Sequence, residues 1–446
     1  MVKKQKVSYV CSSCGAVHSS WTGRCSNCGE WNTIQEQLNV TTSMAGSSGK
    51  KLVLRSIDEV VKAKPIERIK INIGDMDEVL GGGIVPGSVV LIAGQPGIGK
   101  STLLMQVSAS VAKTKKVIYI SGEESAEQVA MRASRLGAGG KDLVLTTSTS
   151  ANDIATTISS ESADLVVIDS IQTLACNEIA SAAGSVSQIT NSTQLVTQAA
   201  KSSGTALLIV GHVTKEGSIA GPKVLEHLVD VVLQLEGDRY GGFKVLRAVK
   251  NRFGSTNEAS IFDMEQEGLK PVANPSAALL AERQISDGSI VLATLEGTRP
   301  LLVEVQALVN TSSYGYPKRT ASGFDLNRLN LLVAVLERRT KLNLSDKDIF
   351  INIVGGIKIS DPAADLAVCM AIGSAAKGLK LAKDAVVYGE VGLSGEVRHV
   401  PQVEKRLAEG RKLGFELAIG PRYSGKKNPF LHEIKDIKDA LNTFLK

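Results

Sequence analysis

From about residue 55 to 270, short apolar runs recur: "SVVLIAG", "KVIYIS", "ADLVVIDS", "ALLIVGH", "DVVLQLE" and "FKVLRAV". Longer amphipathic or small-residue segments separate them. Continuous Val/Ile/Leu runs of this kind read as strands buried on both faces, with helices between them as cover. The pattern therefore predicts an α/β fold with a mainly parallel sheet. "KPVANPSAAL" breaks it with two prolines, and a second α/β region follows to the C-terminus. At the other end, residues 1–36 form a compact cysteine-rich module. "LNVTTSMAGSSGKK" then reads as a flexible linker, rich in Ser, Thr and Gly. The expected organisation is a four-cysteine module over 1–36, a linker over 37–54, an α/β core over 55–272 and a second α/β domain over 273–446. No tandem repeat of solenoid period is present.

Composition narrows the class. A chain of 446 residues with 43% hydrophobic and 22% charged residues is an ordinary globular protein of two or three domains. No apolar run approaches the length of a membrane span. The start "MVKKQKVSYVCSSC" has no apolar h-region before its cysteines and is not read as a secretory signal. A net charge of +6 permits a polyanionic partner without requiring one. Four of the six cysteines are clustered, which predicts a reducing, cytoplasmic setting and a metal site rather than a disulfide framework.

Cys11-x2-Cys14 and Cys25-x2-Cys28 are separated by ten residues, and a glycine follows each second cysteine. Two such knuckles bring four thiolates to one tetrahedral centre, as Zn2+ requires; an iron–sulfur cluster is the less favoured alternative. A module this small cannot build a core, so the metal carries most of its folding energy. His18 is a substitute ligand only if one cysteine does not bind. Trp21 and Trp31, the only tryptophans in the chain, flank the second knuckle. They read either as core or as a recognition surface for DNA or protein.

"GQPGIGKST" contributes Gly94, Gln95, Pro96, Gly97, Ile98, Gly99, Lys100, Ser101 and Thr102, directly after the strand-like "SVVLIA". Glycines let backbone N–H groups curl around phosphate oxygens, and a following helix adds its positive end. Lys100 is expected to reach the β- and γ-phosphates of ATP and Ser101 to ligate Mg2+. "ADLVVIDS" places Asp169, a Walker B aspartate, at the C-terminal end of a buried strand, where open α/β sheets bind ligands. "YISGEES" places Glu123 and Glu124 at another strand end. Glu123 is expected to orient the attacking water, while Glu124 reads as a helix N-terminal acid or the alternative base.

"LGGGIVPGSVVLIAGQPGIGKSTLL", "YISGEES", "VIDSIQT" and "KNRFG" together resemble the bacterial RadA (Sms) family, relatives of the RecA recombinase. The four-cysteine N-terminus and "LATLEGTRPLLVEVQALV" extend the resemblance over nearly the whole chain. It implies a RecA-like motor with a Lon-protease-like C-terminal domain, assembling as a hexameric ring on single-stranded and branched DNA. It also implies ATP-driven branch migration in homologous recombination and DNA repair, in partnership with RecA. In that pattern His212, ending "ALLIVGH", senses the γ-phosphate. "VTKEGSIAGPK", with Lys215 and Lys223, faces the central channel as a DNA-contacting loop, and "TLACNEIASAAGSVSQ" is the other channel loop.

"AVKNRFG", residues 248–254, sets Lys250 and Arg252 two apart, on one face of a strand, where two cations repel unless an anion lies opposite. RecA-like rings place cations at the subunit border, so both are expected to reach the γ-phosphate of a neighbouring subunit as a finger supplied in trans. The competing reading has them bind DNA phosphates or local carboxylates. Asn251 is expected on the opposite face, and Gly254 to let the chain turn away.

The C-terminal domain lacks a peptidase's chemistry. The Lon-type pattern needs a serine where "DPAADLAV" has Ala363, and a lysine where "PQVEK" has Glu404. Without the nucleophile no acyl-enzyme forms. Ser360 and Ser374 are nearby but off the motif position. Lys318, Arg319, Arg338, Arg339, Lys405, Arg406, Arg411 and Lys412 are candidates to face a duplex. Three functions remain: a DNA motor; a regulatory ATPase that binds a protein partner; and an ATP-dependent protease, which Ala363 and Glu404 disfavour.

Overall fold

A computed structural model describes residues 7–12, 16–38, 56–58, 67–212, 224–237, 242–312, 315–381, 385–423, 425 and 428–446. The linker beyond residue 38, Cys14 and the loop carrying Lys215 and Lys223 lie outside these described residues. Two compact units divide the chain, and their boundary is interleaved rather than a single cut near 272. The first comprises Met1–Leu235, Ala248–Thr256 and Glu265–Leu269, and the second Glu236–Arg247, Asn257–Met264 and Lys270–Lys446.

The apolar runs of the first unit form a parallel sheet. Its strands lie in the spatial order Val231–Gly237, Val89–Gly94, Ala206–His212, Leu165–Asp169, Val117–Ser121 and Leu143–Thr147. Val89–Gly94, Val117–Ser121 and Leu165–Asp169 are buried along their whole length. That is why they lack polar alternation, since helices cover both faces. Register aligns Gly94 with His212 and Ser121 with Asp169. The P-loop, the two candidate carboxylates and His212 thereby share one sheet edge, at the carboxyl ends of the strands. Helix Lys100–Val111 buries Leu103, Leu104 and Val107 against this sheet. Helix Ala126–Arg135 begins with a reciprocal capping box between Ser125 and Gln128.

The cysteine-rich module, within the same unit, is a small antiparallel sheet of Val17–His18, Val7–Cys11 and Ile34–Leu38. Among the described residues its buried cluster is Cys11, Cys25 and Ile34. Burial on that scale cannot offset chain entropy, as the sequence predicted.

In the second unit a seven-stranded mixed sheet surrounds helix Ala364–Lys377, whose residues Ala364 to Ser374 are all buried. The centre of that sheet is the long antiparallel hairpin Ser289–Glu296 and Arg299–Thr311. Lys244–Arg247 pairs antiparallel with Ala259–Phe262, so part of "FKVLRAV" belongs here while its end returns to the first unit. No helix among the described residues is long and apolar enough to cross a membrane.

Candidate functional site

The phosphate loop is built by backbone conformation. Gly97 and Gly99 adopt φ of 79° and 110°, which side-chain-bearing residues rarely do. Gln95, Pro96 and Gly97 form an exposed rim, while Ile98 is buried and anchors the loop. Lys100, Ser101 and Thr102 open the following helix, and its first N–H groups point at the loop. Lys100 is buried and donates to the carbonyls of Gly94 at 2.9 Å and Gln95 at 3.0 Å. Burial pulls its pKa down to about 8, against the opposing pull of Asp169 and Glu123. Both carboxylates therefore act on the ammonium that the phosphates would engage.

The remaining groups at this edge are sorted by their partners. Asp169 is buried and accepts from Tyr119 Oη at 2.7 Å. Burial and the Asp169 charge push the Tyr119 phenol far above its ordinary range, so Tyr119 is a fixed donor that aims the carboxylate. Glu123 accepts from Ser170 Oγ, immediately after Asp169. Glu124 is tied differently: its carboxylate pairs with Arg132, and its backbone N–H and C=O both meet Ser121 Oγ. Glu123 thus acts on Lys100 together with Asp169, whereas Glu124 holds the strand-to-helix turn. The backbone of His212 lies beside Gly94.

Tyr119, Ser170 and Arg132 were not singled out in the sequence. Ser170 follows the aspartate directly and was open to inspection, but the reach of Arg132 toward Glu124 and Asp169 depends on helix placement. Arg132 Nη1 lies 4.0 Å from Asp169 Oδ2.

In the cysteine module the Sγ atoms of Cys11, Cys25 and Cys28 lie within 4.8 Å of one another. Cys11 and Cys28 are 3.6 Å apart, close to the roughly 3.8 Å edge of a tetrahedron with Zn–S bonds of about 2.3 Å. His18 Nε2 lies 3.4 Å from Cys25 Sγ. The donor set fits Zn2+.

Lys250 and Arg252 meet their own chain. Lys250, in the strand Lys244–Asn251, donates to the carbonyls of Glu226 and Val229, at the C-terminal end of helix Val224–Leu228. Burial, then the neighbouring Arg252, draws its pKa down. Arg252 lies just past the strand and pairs with Asp230 at 3.0 Å. Asp230 is buried and also accepts from Val89 N at 3.1 Å and Lys201 at 3.2 Å. Asn251 turns elsewhere, to Val79 O at 3.3 Å. Gly254 lies in a bend and has a second reason to be glycine. A Cβ there would lie 2.8 Å from Gly81 Cα, so "LGGG" and "KNRFG" pack backbone to backbone. Arg68 bridges them, donating to Phe253 O at 2.8 Å and to Leu80 O at 3.2 Å.

In the second unit Ala363 is buried, and Glu404 accepts from Tyr423 Oη at 2.9 Å. Between these positions the buried Arg406 donates to Asp361 at 2.7 Å and to Ala293 O at 2.8 Å. Asp361 also accepts from Thr294 Oγ1 and Leu295 N. Arg406 is 1% exposed, so the expectation that it faces a duplex is corrected. Ser374 is buried, accepting from Gly288 N and donating to Leu379 O, whereas Ser360 is exposed.

Residues 61–218 match the AAA domain family, 9–36 the rubredoxin metal binding domain, and 329–424 the subunit ChlI of Mg-chelatase. The chain is 47% identical over 457 residues to the DNA repair protein RadA of Bacillus subtilis, covering 99% of each. It is 46% identical to that of Aquifex aeolicus, covering 94% of each. It is 44% identical to that of Escherichia coli, over all of this chain and 99% of that one. The first unit accordingly carries a RecA-like P-loop ATPase core that takes ATP and Mg2+, behind a Zn2+ ribbon. Identity of this level over essentially the full length of each relative, with the loop, carboxylates and thiols brought together as they require, places the chain in the DNA repair protein RadA family.

Proposed function

We propose that this chain is a DNA-dependent ATPase of homologous recombination and DNA repair, a helicase-type motor that drives branch migration together with RecA. The supporting observation is the convergence of Lys100, Asp169 and Glu123 at one strand edge, in a chain whose full-length relatives are named DNA repair proteins. Lys100 and the loop N–H groups, Gly94 to Thr102, hold the phosphates of ATP. Ser101 and Asp169 hold Mg2+, which screens phosphate charge when bound. Glu123, steadied by Ser170, orients the attacking water, and His212 reads the γ-phosphate. Hydrolysis is coupled to single-stranded or branched DNA in the channel of a hexameric ring. Lys250 and Arg252 reach the neighbour's γ-phosphate in trans, displacing their contacts with Asp230 and the 226–229 carbonyls. Those contacts also favour a second reading, in which "KNRFG" only braces its own subunit. The C-terminal domain is a scaffold without peptidase activity, because Ala363 offers no nucleophile.

The test is the ATPase rate of the full chain with and without single-stranded DNA. Stimulation by DNA is expected. A rate indifferent to DNA, with ATP still hydrolysed, would overturn the motor in favour of a regulatory ATPase that answers to a protein partner.

A further inference from the structure

Trp21 and Trp31 are 59% and 68% exposed, so the core reading for them is excluded. They are not two scattered residues. A Cβ on Gly23 would lie 3.7 Å from the Trp31 ring and 4.0 Å from the Trp21 ring, so both indoles stand over one glycine. The Arg24 guanidinium lies 5.8 Å from the centroid of the Trp31 ring, and its Nε donates to Gly29 O at 2.7 Å. An arginine held in that way leaves the rest of its fork for an outside anion. Around the pair the exposed residues are polar: Ser20, Thr22, Asn32 and the acidic Glu30.

We infer that this pair is a stacking platform for the bases of single-stranded nucleic acid, presented by the metal ribbon apart from any channel loop. A protein partner would be met by a continuous apolar patch, as at interface cores, and none surrounds these rings among the described residues. Two flat aromatic faces and one guanidinium in a polar field fit unpaired bases with a phosphate between them, in any sequence, because every base has a π-face. A duplex hides those faces, so the platform discriminates strandedness. This inference deepens the proposed DNA-motor reading and rests on it. It gives the ribbon a role in selecting single-stranded segments of a branched substrate.

The chain contains only these two tryptophans, so its indole emission reports from the platform alone. Full-length protein, without nucleotide, is titrated with oligo(dT) and separately with a blunt duplex of equal length, while anisotropy of a labelled strand measures total binding. Quenching by oligo(dT) and not by duplex is expected. The Trp21→Phe and Trp31→Phe variants should each retain quenching from the remaining ring. Trp31→Ala should weaken oligo(dT) binding by about 5- to 150-fold, the equivalent of roughly 1–3 kcal/mol per stacked base. Its zinc content and DNA-free ATPase rate should stay at wild type. If anisotropy shows binding and the ATPase responds to DNA while the emission stays unchanged, the platform is wrong and the motor stands. Equal quenching by duplex would also overturn it. If DNA neither binds nor stimulates, the motor reading itself has failed.

Discussion

Replacing Arg252 by alanine separates the two roles that "KNRFG" can play. Its guanidinium is half exposed, and its partner Asp230 keeps two further donors, Val89 N and Lys201, when the arginine is gone. The loss therefore resembles that of a surface ion pair, about 1 kcal/mol or less, not the 3–5 kcal/mol of stranding a buried charge. For a unit of this size the midpoint of unfolding should fall by no more than about 2–4 °C. Asp230→Ala removes the buried member and leaves Val89 N without its acceptor. It should destabilise more, by about 2–3 kcal/mol. A finger in trans, in contrast, stabilises charge that develops on a neighbour's phosphate, an effect of roughly 10³–10⁵ in rate. Arg252→Ala should then abolish DNA-stimulated ATPase while remaining folded.

The deciding assay mixes two inactive proteins. Arg252→Ala subunits keep Glu123, and Glu123→Gln subunits keep Arg252. In a mixed ring some sites pair an intact carboxylate with an intact arginine, so partial recovery of ATPase is expected. No recovery, with co-assembly confirmed by a pull-down of differently tagged subunits, refutes the trans assignment. Near-normal ATPase in Arg252→Ala, with only the small stability loss worked out above, would instead establish the brace.

Three further outcomes follow from the site. Lys100 loses its proton near pH 8 in the nucleotide-free protein, below its usual 10.5, whereas bound phosphates hold the proton on. Nucleotide binding therefore takes up a proton in that window, and affinity should fall by up to about tenfold per pH unit above 8. A flat profile of Kd between pH 7 and 9.5 would contradict it, and Lys100→Arg should remove the dependence. Glu123→Gln should bind ATP within a few-fold of wild type yet hydrolyse it at least about 10²-fold more slowly, since Ser170 Oγ can still donate to the amide oxygen; single-turnover hydrolysis at the normal rate would reassign the base. Elemental analysis should find one zinc per chain, and chelation should release it and lower amide-exchange protection in the ribbon. ATP binding should persist, because the ribbon's buried cluster of Cys11, Cys25 and Ile34 shares no residue with the phosphate loop.

Legibility in the sequence followed the length scale of each constraint. The P-loop was readable because glycine geometry, the strand before it and the helix after it are all local. So was the parallel sheet, since full burial erases polar alternation in Val89–Gly94 and Leu165–Asp169. The thiols were readable from spacing, because a small metal centre restricts spacing tightly. Groups whose meaning depends on distant chain were not. For "KNRFG" the sequence left a neighbour's phosphate, DNA phosphates and local carboxylates all open, because Asp230 and the carbonyls of residues 226 and 229 lie about twenty residues away, across strand and helix. The glycine ending that motif looked like a turn and lies in a bend, but its close approach to Gly81, more than a hundred and seventy positions earlier in the chain, was not readable. Arg406 looked like surface charge until the half-buried Asp361 claimed it. In each case the residue type announced a need, for a counter-charge or for space, and only the fold named what meets it. The same logic bears on the indoles of the ribbon: beyond Arg24 beside Trp31, they stay exposed among the described residues, and exposed aromatic faces in a DNA repair family point outward to the substrate.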